Sequence, residues 1–241
     1  MAFSKNAPLF CGLTVLLLIS AAPACAPKPA QSLQYDFPLA DGWLIRSSAE
    51  VKEGGAVISA PGMDPAGWNP ASVPTTVLAA LLKNGEYPDP FIGKNLESIP
   101  RERFAGSWWY RKEFDLPADT RLVAKRLGFD GINYRASIWL NGRQIASKEQ
   151  IFGSFRTFEV DIAPAVQPGL NVLAVEVFPP EPGDFTIGFV DWNPRPPDQN
   201  MGIWRPVTLR LSGPVSIEQP FVTSEVNLGT LAEADLTITA Q

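Results

Sequence analysis

The chain has 241 residues, a formal net charge of −5, no histidine and two cysteines, Cys11 and Cys25. Without His it carries no Ser-His-Asp triad, no histidine base and no His-bearing zinc site. With both cysteines in the first 25 residues, the body has no disulfide, thiol nucleophile or thiolate metal site. The acidic balance speaks against nucleic acid or an anionic membrane as partner.

Carboxylates, Lys, Tyr, Ser and Thr remain for any chemistry, with no metal and no cofactor expected. Hydrophobic residues make up 45% and charged residues 19%, enough for a packed core. The 24 prolines are about twice the average share and work against long helices.

Residues 1–24 read as a secretory signal peptide. Lys5 gives the positive start, Leu9–Ile19 the apolar run and Ala22-Pro23-Ala24 the small-x-small cleavage pattern. That run is short for a membrane span, which needs about 20 residues. Cys25 follows directly, so a lipid anchor and plain secretion both stay open. Either way the destination is secreted or periplasmic, or lipid-anchored at the outer face of a membrane. Residues 25–36 read as a flexible leader.

Strand signals follow at Trp43–Arg46 and Ala56–Ser59, then a loop from Pro61 to Val73. Thr75-Thr76 before Val77–Leu82 predicts a short capped helix, stopped at Asn84-Gly85. Tyr87–Phe91 is rich in breakers and predicts a loop. Strand patterns then recur at Trp109–Leu116, Leu122–Phe129, Tyr134–Leu140, Arg143–Ala146, Phe155–Val160, Leu170–Val177 and Arg205–Leu211. Asn141-Gly142 between two of them predicts a type I′ hairpin, in which both turn residues have positive φ. Many short strands at this spacing give an all-β, antiparallel jelly-roll sandwich with one short helix over residues 37–212. Val215–Val222 and Asp235–Ala240 read as two further strands. With no mate visible for the last one, residues 213–241 read as the start of a second β domain that this chain does not complete.

Two polar loops stand out as sites, Tyr87–Leu96 and Asp191–Arg205. Sugar sites need flat apolar surfaces for pyranose faces, and planar amides or carboxylates for pairs of hydroxyls. Asp191, Trp192 and Asn193 supply both within three residues, and nearby prolines limit the entropy lost on binding. Trp192 can equally be structural. Trp109, Trp139 and Trp204 lie in or beside strands and read as packing residues. Asp89 and Asp198 read as turn formers beside proline. Glu97, Glu102, Glu149, Glu159, Glu176 and Glu181 show no acid/base pairing.

Four motifs in order resemble the sugar-binding domain that opens glycoside hydrolase family 2 enzymes. They are Trp108–Phe114, Asp130–Gly142, Gly169–Val177 and Gly202–Val207. The segments from Asp89 and Asp191 are most similar to the branch of exo-β-D-glucosaminidases and β-mannosidases. The resemblance implies a galactose-binding-like jelly roll, then an immunoglobulin-like domain, then a (β/α)₈ barrel. The barrel would cleave by retaining double displacement with two carboxylates. It needs roughly 250 residues, so no catalytic residue is expected in this chain. The resemblance gives Asp191 and Trp192 a substrate contact, then Asn193, with Asp89 and Asn95 from the other loop. The implied partners are a β-linked glycan of chitosan or mannan type and the protein's own downstream domains. A non-catalytic carbohydrate-binding module or lipoprotein, and a purely structural sandwich, remain as alternatives.

Overall fold

A computed structural model describes residues 33–240 apart from 120, 189–191, 193, 218 and 219. The expected signal peptide, the cleavage site and Cys25 lie outside the described residues.

The strands begin with β1 (Gln34–Pro38) and β2 (Trp43–Ser47). The helix α1 (Gly55–Ile58) precedes β3 (Asn69–Ala71) and β4 (Thr75–Thr76). Helices α2 (Val77–Lys83) and α3 (Asn95–Ser98) lead into β5 (Trp108–Leu116). Next come β6 (Ala124–Phe129), β7 (Arg135–Leu140), β8 (Arg143–Phe152), β9 (Phe158–Asp161) and β10 (Gly169–Phe178). The series closes with β11 (Gly202–Ile203), β12 (Val207–Ser212), β13 (Phe221–Val226) and β14 (Ala234–Thr239).

A four-stranded sheet of order β1-β12-β6-β9 and a six-stranded sheet of order β3-β2-β5-β10-β7-β8 form the antiparallel sandwich. Alternation decides which side chains face inward. On β2, Trp43, Ile45 and Ser47 are buried while Leu44 and Arg46 are half-buried. Trp43, Ile45, Tyr110, Leu127, Phe129, Ile138, Leu173 and Leu209 belong to one buried cluster drawn from both sheets. Each fully buried aliphatic or aromatic side chain there contributes about 1.5–3 kcal/mol.

The predicted helix is α2, and Thr76 caps it by accepting the Ala79 N–H at 3.3 Å. The predicted type I′ hairpin joins β7 and β8, with φ of 49° at Asn141 and 85° at Gly142. The packing reading also holds for three tryptophans. Trp109 is buried with Ile58, Trp68 and Ala174, Trp139 packs against that group, and Trp204 is half-buried.

Four details depart from the sequence reading. Ala56–Ser59 is not a strand, because Gly55–Ile58 turns into α1 over the outer face of the six-stranded sheet. Ser59 Oγ donates back to the Gly55 carbonyl at 2.7 Å, and Gly55 sits so close to Trp139 that a Cβ would fall 2.4 Å from its ring. Tertiary packing here overrides the strand preference of Val57 and Ile58. The four-stranded sheet begins at Gln34, inside the expected leader, because Gln34–Pro38 pairs with β12. β8 continues to Phe152, beyond the expected Ala146. The later strand is Phe221–Val226 rather than Val215–Val222, and it gives the last strand its mate. In that hairpin the Val222–Ile238 and Ser224–Leu236 pairs share one face, and all residues of both strands are exposed.

Candidate functional site

Strand register gathers three connections at one end of the sandwich. Trp108 lies opposite Val177, Arg135 opposite both Phe178 and Phe152, and Phe129 opposite both Val207 and Phe158. Residues 130–134, 153–157 and 179–206 therefore leave the sheets at the same end. The long third connection carries Asp191, Trp192 and Asn193.

Its ascending limb is fixed by charge. Arg135 donates to Asp184 through both guanidinium ends, at 2.6 and 2.8 Å, and Asp184 also accepts the Glu181 N–H at 2.7 Å. Burial pushes the Asp184 carboxyl up, but the Arg135 bonds, the Glu181 N–H and the Arg135 charge outweigh it. The net direction is down.

Its descending limb is fixed by Asp198. That residue is 1% exposed and accepts N–H bonds from Leu78 at 2.8 Å and Asn200 at 3.0 Å. The carboxylate thus serves an orphan donor in the first turn of α2. Burial raises its pKa above the ordinary range, and the donors from Leu78, Asn200 and Thr76 pull the other way. The same burial raises the Tyr110 phenol, and the Asp198 charge adds to that rise. The turn-former reading of Asp198 is thus extended, since the residue also joins the loop to a helix.

At the centre lies Asn133, which is fully buried. Its Oδ1 accepts from Ser154 Oγ at 2.6 Å and Thr186 Oγ1 at 2.7 Å. Its Nδ2 donates to the carbonyls of Gln199 at 3.0 Å and Asn200 at 2.8 Å. The sequence reading passed over Asn133, Ser154 and Thr186. The one signal was Asn133 inside the Asp130–Gly142 motif.

Between the limbs is a cleft of about 340 Å³, lined by residues that include Glu181, Thr186, Arg195, Gln199 and Asn200. Trp192 is 84% exposed. Its neighbours Asp191 and Asn193 lie outside the described residues. Phe155 and Phe185 stand at the same end, 5.4 Å apart and exposed, with Trp204 5.8 Å from Phe155. Polar groups beside exposed rings are what a sugar surface requires.

Asp89 and Asn95 fall together but serve their own loop. Asp89 Oδ1 accepts the Phe91 N–H at 2.9 Å, as in a turn, and Asn95 Nδ2 donates to the Asp89 carbonyl at 2.9 Å. Their loop presents Phe91, 95% exposed. Among the described residues, no hydrogen bond joins either one to Trp192. The two regions are tied further along the chain, where Arg101 donates to the Arg195 carbonyl at 3.2 Å.

A larger cavity, about 550 Å³, lies on the outer face of the four-stranded sheet. Arg210 there pairs with Glu159 and Asp130, and Arg126 with Glu159, so the charges answer one another.

The comparisons agree with this architecture. The family model described as "Glycosyl hydrolase 2 galactose-binding domain-like" matches residues 43–182. An exo-β-D-glucosaminidase of Amycolatopsis orientalis is 37% identical over 241 residues, all of this chain and 23% of its own length. One from Streptomyces avermitilis is 41% identical over 220 residues, 91% of this chain and 24% of its own. A mannosylglycoprotein endo-β-mannosidase of Lilium longiflorum is 36% identical over 217 residues, 77% of this chain and 22% of its own. The crystal structure of the Amycolatopsis orientalis exo-chitosanase CsxA superposes with a TM-score of 0.78 at 38% identity, covering 86% of this chain and 24% of that one. The chain thus spans about a quarter of the length of the relatives it matches. With its sandwich, its motifs and these matches, the chain belongs to the galactose-binding-like N-terminal domain family of glycoside hydrolase family 2.

Proposed function

We propose that the chain is the sugar-lining N-terminal domain of a secreted, retaining β-glycosidase of exo-β-glucosaminidase or β-mannosidase type. The observation that carries this reading is Trp192, 84% exposed on a loop whose two limbs are both bonded into the sandwich. Rigid support beneath an exposed indole suits recognition, because little ordering remains to oppose binding. A pyranose face would cover the ring, while Asp191 and Asn193 bond its hydroxyls. Asp89 and Asn95 stand second, since their loop uses part of their bonding capacity.

The relatives' names support a β-linked glycan of chitosan or mannan type. Hydrolysis falls to a barrel elsewhere in the polypeptide, where two carboxylates about 5–5.5 Å apart perform the double displacement. The residues before Cys25 support export, and Cys25 itself allows a lipid anchor. The β13–β14 hairpin supports a second sandwich, because Val222, Leu236 and Ile238 are exposed on a sheet with no covering layer among the described residues.

The test uses the purified 241-residue chain with p-nitrophenyl β-D-glucosaminide, p-nitrophenyl β-D-mannoside, and chitosan and mannan oligosaccharides. The reading expects no hydrolysis and no calorimetric binding without the barrel. Millimolar or tighter binding would instead favour a stand-alone carbohydrate-binding module. Hydrolysis by the chain would overturn the division of labour.

A further inference from the structure

A primary amide offers two donors and two acceptor lone pairs. At Asn133 all four are engaged, and the partners come from three separate segments. Ser154 belongs to the connection between β8 and β9. Thr186 lies on the ascending limb of the long loop, and Gln199 and Asn200 lie on its descending limb. The Asn133 backbone adds two bonds, its N–H to the Gly202 carbonyl at 2.9 Å and its carbonyl from the Gly202 N–H at 2.8 Å. Gln199 and Asn200 have φ of 51° and 59°, a left-handed conformation that is uncommon for L residues and that Asn adopts more readily than Gln. The Asn133 amide meets both carbonyls of that left-handed pair.

We propose that Asn133 is a positioning residue: its side-chain amide clamps both limbs of the Trp192 loop to the sandwich and so fixes where Trp192 stands toward a bound sugar. Trp192 lies near the middle of the stretch between Thr186 and Gln199, and the Asn133 amide holds both of those points. Asn200 Nδ2 reinforces the closure across the limbs by donating to the Ile187 carbonyl at 3.4 Å. Loops that carry binding groups work from rigid bases, and a displacement of about 1 Å at a reacting sugar costs on the order of a hundredfold in rate. The inference rests on the reading of Trp192 as sugar-facing.

Thr186→Val is the least intrusive test, because it keeps the shape and removes one donor to Oδ1. Asn133→Asp keeps an acceptor for the hydroxyls but turns an oxygen toward the Gln199 and Asn200 carbonyls. Hydrogen exchange on the chain reads the clamp without any ligand. Exchange over residues 186–200 should rise at least tenfold in Thr186→Val, with β5 and β10 unchanged. Unaltered exchange in the loop would overturn the clamp.

Kinetics in the complete polypeptide read the consequence, with p-nitrophenyl β-D-glucosaminide or the corresponding mannoside as probe. Thr186→Val should lower kcat about tenfold with KM changed less than threefold. In a Trp192→Ala background the same substitution should cost less than threefold, because the clamp acts through that loop. Equal losses with and without Trp192 would overturn the positioning role and leave the sugar-facing reading intact. Wild-type kinetics in Trp192→Ala would overturn the sugar-facing reading, and the positioning role with it.

Discussion

The Asp198 carboxylate accepts the backbone N–H of Leu78 at 2.8 Å, across 120 residues of sequence. The contact turns a loop residue into a helix cap. It ties the descending limb of the Trp192 loop to α2, whose Val77, Leu78, Ala80 and Leu81 are buried in the core. The stability of the site's frame and that of the fold are thus partly one quantity.

Removing the carboxylate should therefore be costly. Asp198→Ala leaves the Leu78 and Asn200 donors without this acceptor in a buried place, a loss of about 1–3 kcal/mol. Thermal melts should show a Tm several degrees lower. An unchanged Tm would mean that other groups satisfy those donors.

The two loop carboxylates should respond to acid in opposite ways. Asp184 is held below its ordinary value, although burial opposes this, by Arg135 and the Glu181 N–H. Its stabilisation is full above roughly pH 3.9 and is lost as the pH falls through its lowered folded value. The stability gap between wild type and Asp184→Asn should therefore close below that pH. Asp198 is raised by burial. Between roughly pH 3.9 and its raised folded value, its contribution grows as the pH falls. The gap between wild type and Asp198→Ala should widen there. Denaturant melts from pH 7 to pH 3 would separate the two trends, and parallel curves for both variants would contradict them.

Two glycines offer a matched pair. Gly202 has φ of 151°, and a Cβ there would lie 2.6 Å from the Thr75 carbonyl oxygen and 2.7 Å from the Tyr110 hydroxyl. Gly183 has φ of 98° with nothing within 4 Å of its Cβ position. Gly202→Ala should cost at least about 2 kcal/mol through backbone strain and clash together. Gly183→Ala, strained only in its backbone, should cost about 1 kcal/mol. Chemical denaturation of both variants checks the order, and equal costs would show that β4 yields to the new methyl group.

Much of the sandwich was legible because strand alternation and turn chemistry are local. Asn141-Gly142 needs only its own two residues to specify the hairpin, and Thr76 announces the helix that it caps. Gly55–Ile58 was misread because its helix depends on Trp139 and the sheet beneath, which lie far along the chain. The mate of the last strand lies between Pro220 and Asn227, and the expectation misses it by starting the strand at Val215, ahead of that proline. At the site, Trp192 was visible as an aromatic in a polar, proline-rich loop. Asn133 was not, since its meaning lies in four partners spread from Ser154 to Asn200. A buried amide carries no sequence pattern of its own.

The exposure of Trp192 gives the most direct test of the account. Trp192→Ala should leave the Tm of the chain within the shift of about 0.5 kcal/mol expected for a surface site. In the complete polypeptide the decisive measurement is kcat/KM for the β-glucosaminide or β-mannoside that it hydrolyses. The account predicts a fall of about tenfold or more for Trp192→Ala, since one good contact is worth on the order of 1–3 kcal/mol. Wild-type kcat/KM in a stably folded Trp192→Ala protein would contradict it.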